Sequence, residues 1–353
     1  MTLFHSDRQV ANKPTGAVIV ALWVVLASCA HAPQVQPQVP EGPVPTWPLP
    51  PAAPQVRWQG AWPARQPVQV EAAWWRRALD AVFGTELAQP ERPVAPERPF
   101  GVAATETGFA VADPDGRQVL SVAWPSGQTT AIACADQPWQ MPLALAVSEA
   151  GELFVADGGA GAVVVVAADG RCRTLGEQTL ERPAAIALAG DRLYVADPPL
   201  HRVIVYSLAG AELFRMGGRG EGDAQLNFPT GVAVGADGSV FVVDSMNFRV
   251  ARYSDRGEWL GSFGGEGDGG GRFHRPKSVA IGPDGRIFVS DATLDVVVVF
   301  DSATAFALAL GGSGSSPGSL ALPAGVAVRG SRLYVADSGN RRVQVFELLG
   351  GVP

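Results

Sequence analysis

The chain has 353 residues, of which 47% are hydrophobic and 17% charged, and its formal net charge at pH 7 is −7. This composition supplies material for a core, which excludes disorder of the whole chain, and it offers no basic excess for a nucleic acid. Glycine contributes 42 residues and proline 29, which indicates many turns rather than long helices and parallel strands.

The first thirty residues resemble the export signal of a bacterial lipoprotein. The apolar run 17–26 is too short for a transmembrane helix of about 20 residues, but it has the length of a signal-peptide core. The Leu-Ala-Ser-Cys sequence 26–29 that follows is similar to a lipobox, whose cysteine is lipidated and becomes the first mature residue. The resemblance implies a signal peptide over 1–28, a lipid on Cys29 and, because Ala30 is not aspartate, delivery to the outer membrane. The alternative is ordinary signal-peptide cleavage.

Residues 29–54 are expected to form a tether between the lipid and the folded part. Nine of the 25 residues 30–54 are prolines, which lack the backbone donor of regular structure. At about 3.1 Å per residue in polyproline II, this segment would hold the folded part up to roughly 75 Å from the lipid.

A repeat of about 46 residues fills most of the remaining chain. Six apolar strands end in aspartate, with steps of 44, 40, 47, 47 and 46 residues, and a proline opens another strand 14 or 15 residues before each aspartate. The aspartates are Asp113, Asp157, Asp197, Asp244, Asp291 and Asp337. Each unit divides into four short strands separated by glycine and aspartate turns, which is typical of a propeller blade.

The units resemble NHL repeats. Their pattern Pro-x-Gly-Val-Ala, Val-Ala-Asp-x-x-Asn-x-Arg-Val, with Gly-x-Gly-x-x-x-Gly-x-Phe between units, is similar to that of the NHL family of six-bladed β-propellers. The resemblance covers 98–349 and implies an all-β ring. The last unit lacks a fourth strand, and residues 55–62 are similar to the fourth strands of other units. We therefore expect 55–62 to complete blade six and close the ring, so that 55–349 form one propeller.

One amphipathic helix is predicted over residues 70–83, with Gly84 as its end. Its apolar face consists of Trp75, Leu79, Val82 and Phe83. The helix is expected either to cover apolar propeller surface or to dock on a membrane or partner, with Trp74 as an anchor.

The six aspartates are expected to be structural, because a carboxylate at the start of a tight loop accepts hydrogen bonds from loop amides. A cation-binding ring of acids is the alternative. Arginine follows five residues later at three of them and precedes the opening proline in three units, so ion pairs between loop aspartates and arginines are expected. These arginines are Arg202, Arg249 and Arg342, and Arg98, Arg182 and Arg275. The loops after the second strands and between blades share one face, which we call the loop face. Candidate partner-binding residues on it are Arg202, Asn247, Phe248, Arg249, Arg275, Asn340, Arg341 and Arg342. Arginine and aromatic side chains are common anchors, and the NHL resemblance implies binding through this face.

Residues that begin the innermost strands would line a central channel. They are Phe100, Leu143, Ala184, Thr230, Lys277 and Ala324. Lys277 is a candidate anion site at the channel mouth, with a solvated side chain as the alternative. The repeats contain only His201 and His274, too few for the three-histidine zinc site of the similar peptidyl-hydroxyglycine lyase propellers. No cofactor or metal is expected.

Cys134 and Cys172 remain besides Cys29. An oxidising envelope would permit a disulfide, but their different heights within the repeats favour two separate thiols.

The sequence therefore predicts a lipid-anchored, non-catalytic binding or scaffold module of the bacterial outer membrane, a monomeric propeller that docks an envelope protein or glycan and no nucleic acid. The alternative is a calcium-dependent, lactonase-like hydrolase or lyase with its metal in the channel.

Overall fold

The computed structural model describes residues 37–38, 42–49, 52–63, 95–135 and 137–350. The predicted signal peptide, Cys29 and the predicted helix 70–83 lie outside the described residues. Within the described part, no helix has the length and hydropathy needed to cross a membrane.

Six antiparallel sheets are arranged as the blades of a propeller, in agreement with the predicted fold. Blade one contains β3 (Gly101–Ala104), β4 (Gly108–Asp113), β5 (Gln118–Ala123) and β6 (Thr129–Ile132). Blade two contains β7 (Pro142–Val147), β8 (Leu153–Asp157), β9 (Ala162–Val166) and β10 (Cys172–Leu175). Blade three contains β11 (Ala185–Ala189), β12 (Arg192–Asp197), β13 (Arg202–Ser207) and β14 (Glu212–Gly217). Blade four contains β15 (Pro229–Val234), β16 (Val240–Asp244), β17 (Arg249–Tyr253) and β18 (Trp259–Gly264).

Blade five contains β19 (Pro276–Ile281), β20 (Ile287–Asp291), β21 (Val296–Phe300) and β22 (Phe306–Gly311). Blade six contains β23 (Pro323–Arg329), β24 (Arg332–Asp337), β25 (Arg342–Leu348), β2 (Val56–Trp62) and β1 (Thr46–Trp47). Short 3-10 turns over Ser245–Asn247 and Ser338–Asn340 follow the second strands of blades four and six.

The core consists of six apolar clusters, one between each pair of neighbouring blades. The second strand of every blade is buried from the strand's interior to its terminal aspartate, because both of its faces pack against neighbouring blades. Strand β9, the third strand of blade two, is buried along its whole length in the same way, which explains why its run AVVVV is continuously apolar, whereas a strand with one solvated face would alternate.

The ring closes as predicted. Strand β2 pairs antiparallel with β25, so that Trp58 lies opposite Phe346 and Trp62 opposite Val343. The indole nitrogen of Trp58 donates to Gln344 Oε1 at 2.8 Å in the core of the blade. The N-terminal strand therefore removes the exposed edge that the short sixth repeat would leave.

The proline-rich tether is shorter than predicted, because its last part belongs to the fold. Strand β1 pairs with β2, and the ring of Trp47 packs on Phe346 with centroids 5.6 Å apart. Prolines are tolerated at a sheet edge, where a missing N–H faces solvent. The high proline content of 29–54 predicted a solvated segment, but Trp47 is more stable packed on blade six than exposed to water.

Cys134 and Cys172 form a disulfide, with Cα atoms 5.9 Å apart, so the preference for separate thiols was wrong. Cys134 follows the outer strand of blade one and Cys172 begins that of blade two. Both residues pack with Trp139 in the cluster between these blades, because the loop after β6 folds back toward the neighbouring blade. Their heights within the repeats were therefore a poor guide to their distance.

Deleting residues 55–62 is expected to abolish cooperative thermal unfolding. Trp58 and Trp62 are fully buried, and each loss of such a side chain costs about 3–5 kcal/mol. The measurement is calorimetry or circular dichroism melting, and the control is a chain beginning at residue 52, which loses β1 but keeps β2. An unchanged melting curve for the 55–62 deletion contradicts the closure.

Replacing both Cys134 and Cys172 with serine is expected to lower the free energy of unfolding. The bridge spans a sequence separation of 38 residues, and the loop-entropy model assigns such a bridge about 4 kcal/mol. Denaturant unfolding with and without a reductant measures the effect. The reductant should destabilise the native chain and leave the double variant unchanged; equal sensitivity of both proteins argues against the bridge.

Candidate functional site

The loop face is built on the six repeated aspartates, all of which are fully buried. Asp113 accepts hydrogen bonds from the backbone N–H groups of Glu97 (2.7 Å) and Arg98 (3.0 Å), just before the opening proline of blade one. The other five aspartates accept backbone N–H groups at the corresponding place in their own blades. Their oxygens are thus committed to the loops, and no pair of them shares a site in the described part of the chain.

Burial also changes the titration of two of these carboxyls. Desolvation raises the pKa of Asp197 and of Asp244 above the ordinary value, although hydrogen bonds from loop amides oppose the change. The carboxylates hold the loops together rather than presenting charge to a ligand.

Half of the candidate partner-binding residues are engaged within the fold. Arg249 Nε donates to Asp244 Oδ2 at 2.8 Å, and Arg342 Nε donates to Asp337 Oδ2 at 2.7 Å. Asn247 and Asn340 donate to the same two aspartates and to carbonyls of the preceding inter-blade loops. Arg342 is buried, so it has no surface to offer a partner.

The other half remains accessible to different degrees. Arg202, Arg275 and Arg341 are exposed, whereas Phe248 is half-buried against the cluster between blades four and five. Phe248 and Arg341 occupy the left-handed region, with φ of 53° and 55°, at equivalent positions of their loops. The same conformation recurs at His201 in blade three, so it reflects the turn and not a special role of either residue.

The innermost strands surround a central channel whose lining is mostly apolar. All six residues expected from the repeat register line it, including Thr230 and Lys277. Thr230 Oγ1 donates to the carbonyl of Pro276 at 3.3 Å, and Ser278 Oγ accepts from Val326 N at 3.3 Å. The one charged side chain among the channel-lining residues of the described structure is Lys277.

Lys277 carries a charge that its surroundings do not favour. Burial is the main cause that lowers its pKa to about 8, and the guanidinium groups of Arg275 and Arg98 lower it further. Asp291 opposes this effect, but its carboxylate already accepts four loop amides, from His274, Arg275, Thr293 and Leu294. The ammonium group therefore lacks a dedicated counter-ion among the described residues.

Three arginines stand around the channel mouth at alternate blades. Arg98, Arg182 and Arg275 each directly precede the opening proline of blades one, three and five, and all three are exposed. Met141, Phe228 and Leu322 occupy the same position in blades two, four and six. The sequence predicts that all three arginines pair with loop aspartates, and only Arg275 is a candidate for partner binding; of the three, within the described residues, only the side chain of Arg98 contacts an aspartate, Asp115 at 3.8 Å.

The described residues do not form a metal site in the channel. No group of three histidine, cysteine, aspartate or glutamate side chains within the described ranges is arranged to hold an ion. His201 is buried, where its Nδ1 accepts from Phe228 N, and His274 pairs with Asp268 at 2.7 Å. Neither histidine lines the channel.

The NHL repeat family model matches residues 226–253 and 320–346. These are parts of blades four and six, the two units with the Asn-x-Arg sequence after the second strand. The chain is a six-bladed β-propeller that carries NHL repeats. No curated protein gives a significant sequence match.

Solved structures share the propeller fold at low identity. Virginiamycin B lyase from Staphylococcus aureus matches with a TM-score of 0.54 and 12% identity, covering 72% of this chain and 96% of that chain. A gluconolactonase from Xanthomonas campestris has a TM-score of 0.58 and 19% identity over 72% and 87% of the two chains. A chain of the nidogen/laminin complex has a TM-score of 0.53 and 18% identity over 68% and 85%.

These structures overturn the prediction of a non-catalytic chain. A lyase and a gluconolactonase have the same propeller architecture, so neither the fold nor its repeats support the absence of catalysis.

The titration of Lys277 provides a direct check of the channel mouth. It is the only lysine after Lys13, so reductive methylation with ¹³C of a chain beginning at residue 30 labels one lysine side chain for NMR. We expect a pKa of about 8 in the folded chain and the ordinary value of 10.5 after unfolding.

The same shift predicts the pH dependence of stability. The folded-state pKa lies below the unfolded one, so Lys277 opposes folding below about pH 8, and this penalty fades as the pH rises toward 10.5. Lys277→Met should therefore be more stable than the native chain at pH 7 and should lack the gain in stability over that pH range. A titration of Lys277 at its ordinary pKa refutes the described environment.

Proposed function

We propose that this propeller is an outer-membrane lipoprotein that binds an anionic group of an envelope protein or glycan at the channel mouth on its loop face. The observation that carries the proposal is Lys277, a half-buried cation in a lining without a carboxylate, close to Arg98 and Arg275. The lipid on Cys29, expected from the lipobox, would retain this binding site at the membrane.

A bound anion would relieve an unfavourable arrangement of charge. Buried cations are normally paired, because loss of hydration disfavours the charged form unless an opposite charge is near. Lys277 has two cationic neighbours, and the nearby Asp291 is saturated by loop amides. A ligand carboxylate or phosphate would therefore supply the counter-ion that the chain itself does not provide.

The arginines add directional hydrogen bonds to the positive charge of Lys277. A guanidinium donates two parallel hydrogen bonds to a carboxylate or phosphate, which a lysine does not. Arg98 is only weakly engaged, since its contact with Asp115 is 3.8 Å long and both side chains are about half exposed. Arg182 and Arg275 form no ion pair with any residue of the described ranges.

The calcium-dependent alternative is not supported by the donor set. Calcium takes six to eight oxygen ligands, usually including carboxylates. The described channel lining supplies hydroxyls and carbonyls but no carboxylate, and Lys277 would place a cation beside the ion. Binding of an organic anion fits these side chains, and it is compatible with later turnover of the bound group.

The test uses the single labelled lysine with citrate and pyrophosphate as anionic probes. Either anion should raise the pKa of Lys277, because it stabilises the ammonium form. Arg98→Gln combined with Arg275→Gln should weaken binding more than tenfold, since hydrogen bonds to charged groups contribute about 1.5–3 kcal/mol each. Calorimetric titration measures the affinities.

The matched control is Arg171→Gln combined with Arg256→Gln, which removes the same charge from exposed turns on the opposite face. This variant should bind the probes like the native chain. Equal weakening by both double variants would show a general charge effect, and an unshifted lysine signal with both probes would refute the proposed site.

A further inference from the structure

The tether is bound along blade six in one direction. Gln38 and Ala61 exchange backbone hydrogen bonds of 2.9 and 3.2 Å, and further along the tether Trp47 lies opposite Val56. Because β2 and the tether are antiparallel, the two contacts mark the two ends of the blade.

The Gln38 contact lies at the loop-face end. Ala61 is opposite Gln344, and the side chain of Gln344 binds the loop between blades five and six through Ser319 O (2.6 Å) and Gly318 N (3.0 Å). Val56 is opposite Leu348 at the other end of the same strand pair. The chain therefore arrives at the loop face and runs along the rim toward the opposite face.

Only nine residue steps separate Cys29 from Gln38. A fully extended chain covers at most ~3.6 Å per residue, so the lipid attachment point is within roughly 30 Å of the loop-face rim. The opposite face lies a blade height further away. A lipid on Cys29 thus restricts which face of the ring meets the bilayer.

The loop face has the side chains that a lipid surface would contact. The arginines of the channel mouth are exposed there, as are the apolar side chains of Met246 (57%) and Leu322 (52%). Glu97 and Glu181 adjoin two of the arginines, so attraction depends on the inner cations and not on net charge.

We infer that the loop face lies against the membrane that holds the lipid anchor, and that Arg98, Arg182 and Arg275 contact phosphate groups of lipid head groups. This inference rests on the proposed anion site and assigns the arginines around it to phosphates of the membrane surface, while Lys277 stays available to an anionic group of an envelope protein or glycan. The short tether supplies the orientation, and the arginines supply the chemical complement to the head groups.

The first test measures orientation in the lipidated, full-length protein reconstituted in phosphatidylcholine vesicles with phosphatidylglycerol. A fluorophore is attached to Met246→Cys on the loop face or to Asp255→Cys in an exposed turn on the opposite face. Quenchers carried by the lipids should quench the first fluorophore strongly and the second weakly. Equal quenching, or stronger quenching at position 255, overturns the orientation.

The second test measures the phosphate contact with an unlipidated chain beginning at residue 30. The variant Arg98→Gln, Arg182→Gln, Arg275→Gln should lose on the order of 100-fold in partitioning to anionic vesicles, at about fivefold per arginine. The control variant Arg171→Gln, Arg256→Gln, Arg329→Gln removes three exposed arginines from the opposite face and should partition like the native chain. Equal losses in both variants refute a specific contact.

Pyrophosphate separates the failure of this inference from that of the proposed function. If pyrophosphate binds at Lys277 but the vesicles bind both triple variants like the native chain, the anion site stands and the membrane partner is wrong. If neither pyrophosphate nor vesicles respond to the arginines, both proposals fail.

Discussion

The buried aspartate at the end of each second strand is the interaction on which the loop face depends. It accepts hydrogen bonds from the amides just before the innermost strand, with oxygen–nitrogen distances of 2.7 and 3.0 Å in blade one. Leaving such amides unsatisfied in the interior would cost about 1–3 kcal/mol each, so the loop has one favourable path. The segment before each opening proline is consequently held by its aspartate in all six blades, although Phe228 and Leu322, the last residues before the prolines of blades four and six, are left-handed (φ of 55° and 48°) and the other four are not. A difference of one residue between repeats therefore becomes a pattern around the channel once the ring closes.

Repetition is also why so much of the fold could be predicted from the sequence. Because a proline and an aspartate recur at nearly the same spacing in six copies, the assignment of the strands does not depend on any single copy. The sixth copy lacks a fourth strand, which indicated that β2 replaces it. Strand β1 and the Cys134–Cys172 bridge have no counterpart in other repeats. They arise from packing between segments that periodicity does not relate, such as Trp47 on Phe346. The proline content of 29–54 and the positions of the two cysteines within their repeats favoured the opposite conclusions.

Residues of the site could be predicted from the sequence only where they differ from the equivalent residues of the other repeats. Lys277 stands out because the equivalent positions are mostly apolar, and the structure places it in the channel. Arg249 and Arg342 were candidates for surface anchors, but both form the ion pair with the aspartate five residues earlier that the repeat spacing predicts. Arg98, Arg182 and Arg275 are far apart in the sequence, and their arrangement at alternate blades around the channel follows only once the six units close into a ring.

The two kinds of cation at the mouth impose different demands on a ligand. Exposed guanidinium groups keep most of their hydration, so each gains less from an anion than a buried cation does, but together they meet any phosphate that approaches the face. Lys277 is half-buried and has lost hydration, which its lowered pKa reflects, so it gains more from an anion that reaches it. A phosphate that stays in the plane of the head groups would meet only the arginines, whereas one on a protruding sugar would also reach the lysine. In the proposed arrangement, affinity for the surface therefore comes from the ring of arginines, and selection among surface anions comes from the depth of Lys277.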